Sequence, residues 1–76
     1  MTLGQRIKAA RESTGLSQVD FSKLAKIKQT TLSRWERDQG EGPRIPDGLR
    51  ICKACGCDLL WLATGLGDPP AFEVAA

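Results

Sequence analysis

Apolar positions along this 76-residue chain recur every three or four residues and nowhere alternate over a stretch. That spacing predicts helices rather than strands. Thr2 followed by Gln5 three residues later has the form of a capping box, and Leu3, Ile7 and Ala10 then line one face. Gly15 stops that helix. Ser17 with Asp20 is a second N-cap signature, opening a short helix through Ala25 with Phe21, Leu24 and Ala25 inward. A turn at Lys26-Ile27 leads to a third helix, about Lys28 to Asp38, that buries Leu32 and Trp35. The stretch from Gln39 to Arg44 contains Gly40, Gly42 and Pro43 and reads as a loop. Pro46 suits the first position of a fourth helix, with Leu49, Cys52 and Cys55 inward and Gly56 as its stop. Asp58 caps a fifth helix carrying Leu59, Leu60, Trp61 and Leu62, which ends at Gly65. The expectation is an all-α, compact five-helix globule over residues 1–67. Residues 68–76, opening on Asp68-Pro69-Pro70 and continuing Ala71-Phe72-Glu73-Val74, read as a C-terminal tail or the start of a linker.

Length and composition narrow the class. A chain this short holds one small core and no second lobe. Apolar residues make up 41% and charged residues 26%, the balance of a globular domain rather than a disordered one. No apolar run approaches the roughly 20 residues of a membrane span, and the N-terminus has no apolar secretory segment. The expected location is cytoplasmic, with no membrane partner. Net charge is only +2, but it is unevenly spread. Residues 23–53 hold a surplus of four positive charges, whereas residues 54–76 hold three acids and no base. A basic middle and an acidic end suit a polyanion met by one face, and equally a solvated surface with chance clustering.

Cys52, Cys55 and Cys57 form C-x-x-C-x-C, but there is no histidine and no fourth cysteine to close a tetrahedral zinc site. Cys52 and Cys55 extend the apolar stripe of the fourth helix, so core packing is the first reading and a metal or redox role the second. No metal and no cofactor is expected. With no histidine, no visible nucleophile–base pair and no room for a cleft, the chain does not read as an enzyme.

The informative segment runs from Leu16 to Glu36. Two short helices meet at a turn, and the second opens on small polar side chains rather than on a charged face. A helix that reads the major groove, about 12 Å wide, needs amides, hydroxyls and an arginine near its leading end. This segment resembles the helix-turn-helix domain of the lambda and 434 phage repressor and Cro family. The resemblance is carried by Leu16-Ser17-Gln18, by Gln29-Thr30-Thr31-Leu32-Ser33-Arg34-Trp35-Glu36, by Pro43-Arg44-Ile45-Pro46, and by Trp61-Leu62-Ala63-Thr64-Gly65. It covers residues 3 to 67 approximately.

The resemblance implies sequence-specific binding of a double-stranded DNA operator by a repressor or regulator, with a recognition helix at about 28–38. Gln29, Thr30, Ser33 and Arg34 would face base edges. Ser17, Gln18, Lys26, Lys28 and Arg44 would meet the DNA backbone, Gln18 also bracing Gln29. Arg11 and Glu36 would pair beneath the recognition helix. Three positions depart from the family pattern. Lys26 stands where a left-handed glycine is usual, at a cost of about 1 kcal/mol. Lys28 replaces a Ser or Thr cap and puts a cation at the positive end of a helix. Ser22 replaces the small alanine of the helix–helix contact, where its hydroxyl can bond back to a carbonyl.

One module of this size touches little DNA, so a homodimer on a two-fold-related operator is expected. Two other readings stay open: an antitoxin of the same fold with a toxin partner, and a protein-interaction module that does not bind DNA. The exit at residues 68–70 is compatible with a further C-terminal domain.

Overall fold

The computed structural model describes residues 1–70; the segment read above as tail or linker lies, from Ala71 on, outside the described residues. Thr2 starts the first helix as the pattern predicts. Its hydroxyl accepts from the Gln5 N–H at 3.1 Å while its own N–H donates to Gln5 Oε1 at 2.9 Å, so two of the amide groups that a helix start leaves unpaired are satisfied reciprocally. Helix α1 then spans Leu3–Ser13, α2 Gln18–Ala25, α3 Gln29–Glu36, α4 Ile45–Cys55 and α5 Leu59–Thr64, and there is no strand among the described residues. None of these helices is long and apolar enough to cross a membrane.

All five helices contribute to one core: Ile7 and Ala10, Phe21 and Ala25, Leu32, then Ile51, Cys52 and Cys55, and finally Trp61 and Leu62. Helix α1 packs on α3, α4 and α5, and α2 packs on α3 and α4. The α1–α3 crossing is close because Gly4 has no side chain. A methyl group there would lie 2.5 Å from the Trp35 carbonyl oxygen and 2.8 Å from Asp38 Cγ. Cys52 and Cys55 are core residues, as the stripe suggested, while Cys57 sits at the rim, half-buried.

Several local expectations are corrected. The third helix is shorter at both ends than 28–38: Lys28 is its N-cap and Arg37 its C-cap. Asp38 lies beyond it in the left-handed conformation, φ 56°. The Asp38 and Gln39 N–H groups return to the Trp35 and Arg34 carbonyls, the paired bonds of a Schellman motif that end the helix. Leu24 and Leu49 are exposed, not inward, and Trp35 is only partly buried. In α2 the inward stripe is Phe21, Ser22 and Ala25; in α4 it is Gly48, Ile51, Cys52 and Cys55. Both stripes contain a residue with no hydrophobic signature, so the nearest leucine took its place in the pattern. Ser22 fits because its hydroxyl donates to the Val19 carbonyl at 2.7 Å. Pro46 is in the first turn of α4, but Ile45 precedes it as the first helical residue.

Candidate nucleic-acid interface

Helix α2, its turn and α3 position every side chain that the sequence singled out between Ser17 and Glu36. Ser17 caps α2, its hydroxyl accepting from the Asp20 N–H at 3.2 Å. The helix closes at Lys26 with φ 59° and ψ 45°. Its N–H donates to the Lys23 carbonyl and that of Ile27 to the Ser22 carbonyl. A left-handed residue is therefore required at the position where lysine stands in place of glycine. Ile27 then packs on the core while Lys28 and Gln29 emerge into solvent.

A continuous hydrogen-bonded series runs under α3. Arg11 grips Glu36 with both ends of its guanidinium, Nε to Oε2 at 2.8 Å and Nη2 to Oε1 at 3.0 Å, and donates a third bond to the Leu16 carbonyl at 3.0 Å. The bond to Glu36 holds the Arg11 pKa above its ordinary value, against the lowering effect of burial. Gln18 Nε2 donates to Glu36 Oε1 at 3.2 Å, and Gln29 Nε2 donates to Gln18 Oε1 at 3.2 Å. The carboxylate is the fixed point. It accepts only, so it forces the NH₂ end of Gln18 toward itself, and the Gln18 oxygen is left to receive Gln29.

Around that series, Thr30 and Arg34 are exposed and Ser33 partly buried. Arg34 makes no ion pair with any described residue, in contrast to Arg50, which pairs with Asp47 at 3.2 Å. Its guanidinium rests over the loop at Gly40, where a methyl group would lie 3.2 Å from Nη2. The Lys28 N-cap of α3 and the Arg44 N-cap of α4 make no side-chain capping bond. Both are exposed cations at the positive end of a helix. Thus Gln18, Gln29 and the Arg11–Glu36 pair form one connected group. Ser17, Lys26, Lys28, Thr30, Ser33, Arg34 and Arg44 make no hydrogen bond to it.

Two residues that position this surface escaped the sequence reading. Asp38 accepts from the Thr2 hydroxyl at 2.6 Å and from the Gly4 N–H at 2.8 Å, tying the end of α3 to the start of α1. Those bonds, the Thr2 one first, hold its carboxyl below the usual range. Arg6 is buried without a carboxylate. Its Nε donates to the Leu62 carbonyl at 2.8 Å, Nη2 to Ala63 at 3.1 Å and Nη1 to Met1 at 2.7 Å. It thereby covers carbonyls at the C-terminal end of α5 that have no helical partner. The signal was a lone cation inside the apolar stripe, beside Leu3, Ile7 and Ala10.

Known proteins share this fold. A helix-turn-helix family model matches residues 7–62. The HTH-type transcriptional regulator DicA of Escherichia coli (strain K12) is 29% identical over 80 residues, and the match takes in 100% of this chain. The chain spans 58% of the length of that curated relative. Among solved structures, the P22 c2 repressor in complex with the synthetic operator 9T superposes with a TM-score of 0.78 at 29% identity, covering 87% of this chain and 98% of that one. The solution structure of the P22 c2 repressor DNA-binding domain, described in comparison with that of the 434 repressor, gives a TM-score of 0.77 at 29% identity. It covers 100% of this chain and 96% of its own. The chain therefore belongs to the helix-turn-helix family, in its phage-repressor-like branch.

Proposed function

We propose that this protein binds double-stranded DNA sequence-specifically as a repressor-type transcriptional regulator, with α3 in the major groove. The observation that carries the reading is the series Arg11–Glu36–Gln18–Gln29, which ends on an exposed amide at the leading end of a short helix. One of the two Gln29 N–H groups is taken by Gln18. The other N–H and the free Oε1 form an adjacent donor and acceptor, the complement of adenine N7 and its N6 amino group. Arg34 offers a fork that matches guanine O6 and N7, Thr30 a methyl group for thymine, and Ser33 a hydroxyl that pairs with either partner type. The P22 c2 relative, solved with a synthetic operator, supports DNA as the partner.

Ser17, Gln18, Lys26, Lys28 and Arg44 are the backbone contacts of this reading. The uncapped amides of α3 and α4 favour an anion, and each has a lysine or arginine at its N-cap. Residues 1–67 act as the binding unit, with 68–76 as a C-terminal tail or the start of a linker. Binding is as a homodimer, and exposed Ile45 and Leu60 support the second copy. They flank an apolar groove of about 460 Å³ between the start of α4 and α5, next to Arg44. Apolar surface gathered in one place on so small a domain favours a partner.

The test is titration of the wild type and single alanine variants against operator and scrambled duplexes at several salt concentrations. Gln29→Ala and Arg34→Ala should each cost about 1–3 kcal/mol on the operator and relax preference at particular base pairs. Lys28→Ala and Arg44→Ala should weaken binding on every sequence and reduce the salt slope by roughly one each. Equal loss on both duplexes for Gln29→Ala would remove α3 as the reading element.

A further inference from the structure

The α4–α5 corner carries chemistry that DNA binding does not use. Cys57 Sγ lies 3.3 Å from Cys52 Sγ, and both thiols are free. The contact follows from how α4 ends. Gly56 is left-handed, φ 76°, and its N–H donates to the Cys52 carbonyl at 2.7 Å. The chain is thereby folded back, and the next residue, Cys57, comes to rest over the last turn of the helix. Cys52 and Cys55 are buried, whereas Cys57 is half-buried and is the one thiol of the three that meets solvent appreciably.

We infer that Cys52 and Cys57 form a reversible intrachain disulfide when the protein meets a peroxide. A disulfide needs its sulfurs about 2.0 Å apart, so closure requires a sulfur displacement of roughly 1 Å. Cys57 can supply it, because it stands in the three-residue connection between α4 and α5 rather than within a helix. The atoms balance as follows. Cys57 Sγ attacks one peroxide oxygen as its proton passes to the Cys55 thiolate beside it, and the O–O bond breaks, giving a sulfenic acid and a hydroxide that leaves, after proton uptake, as one water. The Cys52 sulfur then displaces the sulfenic oxygen, forming the S–S bond. That oxygen leaves as a second water with the Cys52 proton. Two thiols are oxidised by two electrons and the peroxide is reduced.

Cys55 completes the cluster without joining the bond. A hydrogen bond from Cys57 holds the Cys55 thiol down at about 7, and the same contact, with burial, pushes Cys57 up. Burial pushes Cys52 up as well. The cluster thus releases its first proton near neutral pH, and coupled thiols share that charge. Cys55 itself is fully buried, so a peroxide reaches Cys57 first. In a reducing compartment the thiols are the resting state, and the disulfide is a response to oxidant.

The experiment uses the folded full chain, hydrogen peroxide as the oxidant and alkylation as the quench. Trypsin cuts after Arg50 and Lys53 and finds no later basic residue. A disulfide that includes Cys52 therefore links the tripeptide 51–53 to the peptide that begins at Ala54. The wild type should go from three alkylatable thiols to one, show that linked pair without reduction, and return to three with dithiothreitol. Cys55→Ala should still form the linkage and Cys57→Ala should not, with circular dichroism confirming that both are folded. A linkage that survives Cys57→Ala would overturn the assignment. So would oxidation confined to interchain dimers, or thiol loss that only accompanies unfolding.

Discussion

Glu36 receives Arg11 and Gln18 together, with its side chain only 3% exposed, and Gln18 extends the connection to Gln29. A carboxylate so placed is stable only with its partners, because an unmatched charge in a poorly hydrated position keeps its desolvation penalty and loses the compensating attraction. Arg11→Met or Glu36→Gln alone should therefore destabilise the fold by about 3 kcal/mol, and the double variant by less than the sum. Denaturant titration of the four proteins closes the cycle, and additive losses would mean that the pair contributes nothing as a pair. This ion pair was legible only through the family resemblance: two residues of opposite charge, 25 apart in the chain, carry no local signal of contact. Arg6 showed only as a cation inside an apolar stripe, and its partners were not readable because they are backbone carbonyls.

The helix ends divide into two kinds. Thr2, Ser17 and Asp58 cap α1, α2 and α5 with their own oxygens, and all three were readable because capping depends on residues a few positions apart. Helices α3 and α4 begin instead at Lys28 and Arg44 without such a bond, so their first amides lack a side-chain partner and have a cation beside them. The turn before α3 shows the same compromise, with Lys26 held left-handed at φ 59°. Glycine at that position carries no Cβ penalty, so Lys26→Gly should raise stability by about 1 kcal/mol. The same variant should bind DNA more weakly on all sequences, with a smaller salt slope. Thermal unfolding and salt-dependent titration read the two effects separately. A variant that is stabilised but binds with an undiminished salt slope would show that Lys26 does not meet the backbone.

Across the whole molecule, α1 runs against three of the other four helices and so fixes where α3 and the α4–α5 face lie. A second copy seated on Ile45 and Leu60 should place two half-sites about 34 Å apart on duplex DNA, one helical turn. Leu60 is half-exposed, so Leu60→Glu should leave the fold intact. It should also lower the sedimentation-derived mass of any dimer to that of one chain and abolish joint protection of the half-sites. A dimer unchanged by that substitution would move the interface elsewhere. The sequence alone determined the number and order of the helices, three of their caps and the polar leading edge of α3, because each depends on neighbours within about one turn. Tertiary structure decided the rest. It chose Gly48 and Ser22 over Leu49 and Leu24 as inward residues, since burial depends on what a facing helix has room for. It also set Asp38 on the start of α1, Arg6 on the end of α5, and Cys57 against Cys52. Such contacts have no period in the chain; they exist only once packing brings the elements and turns together.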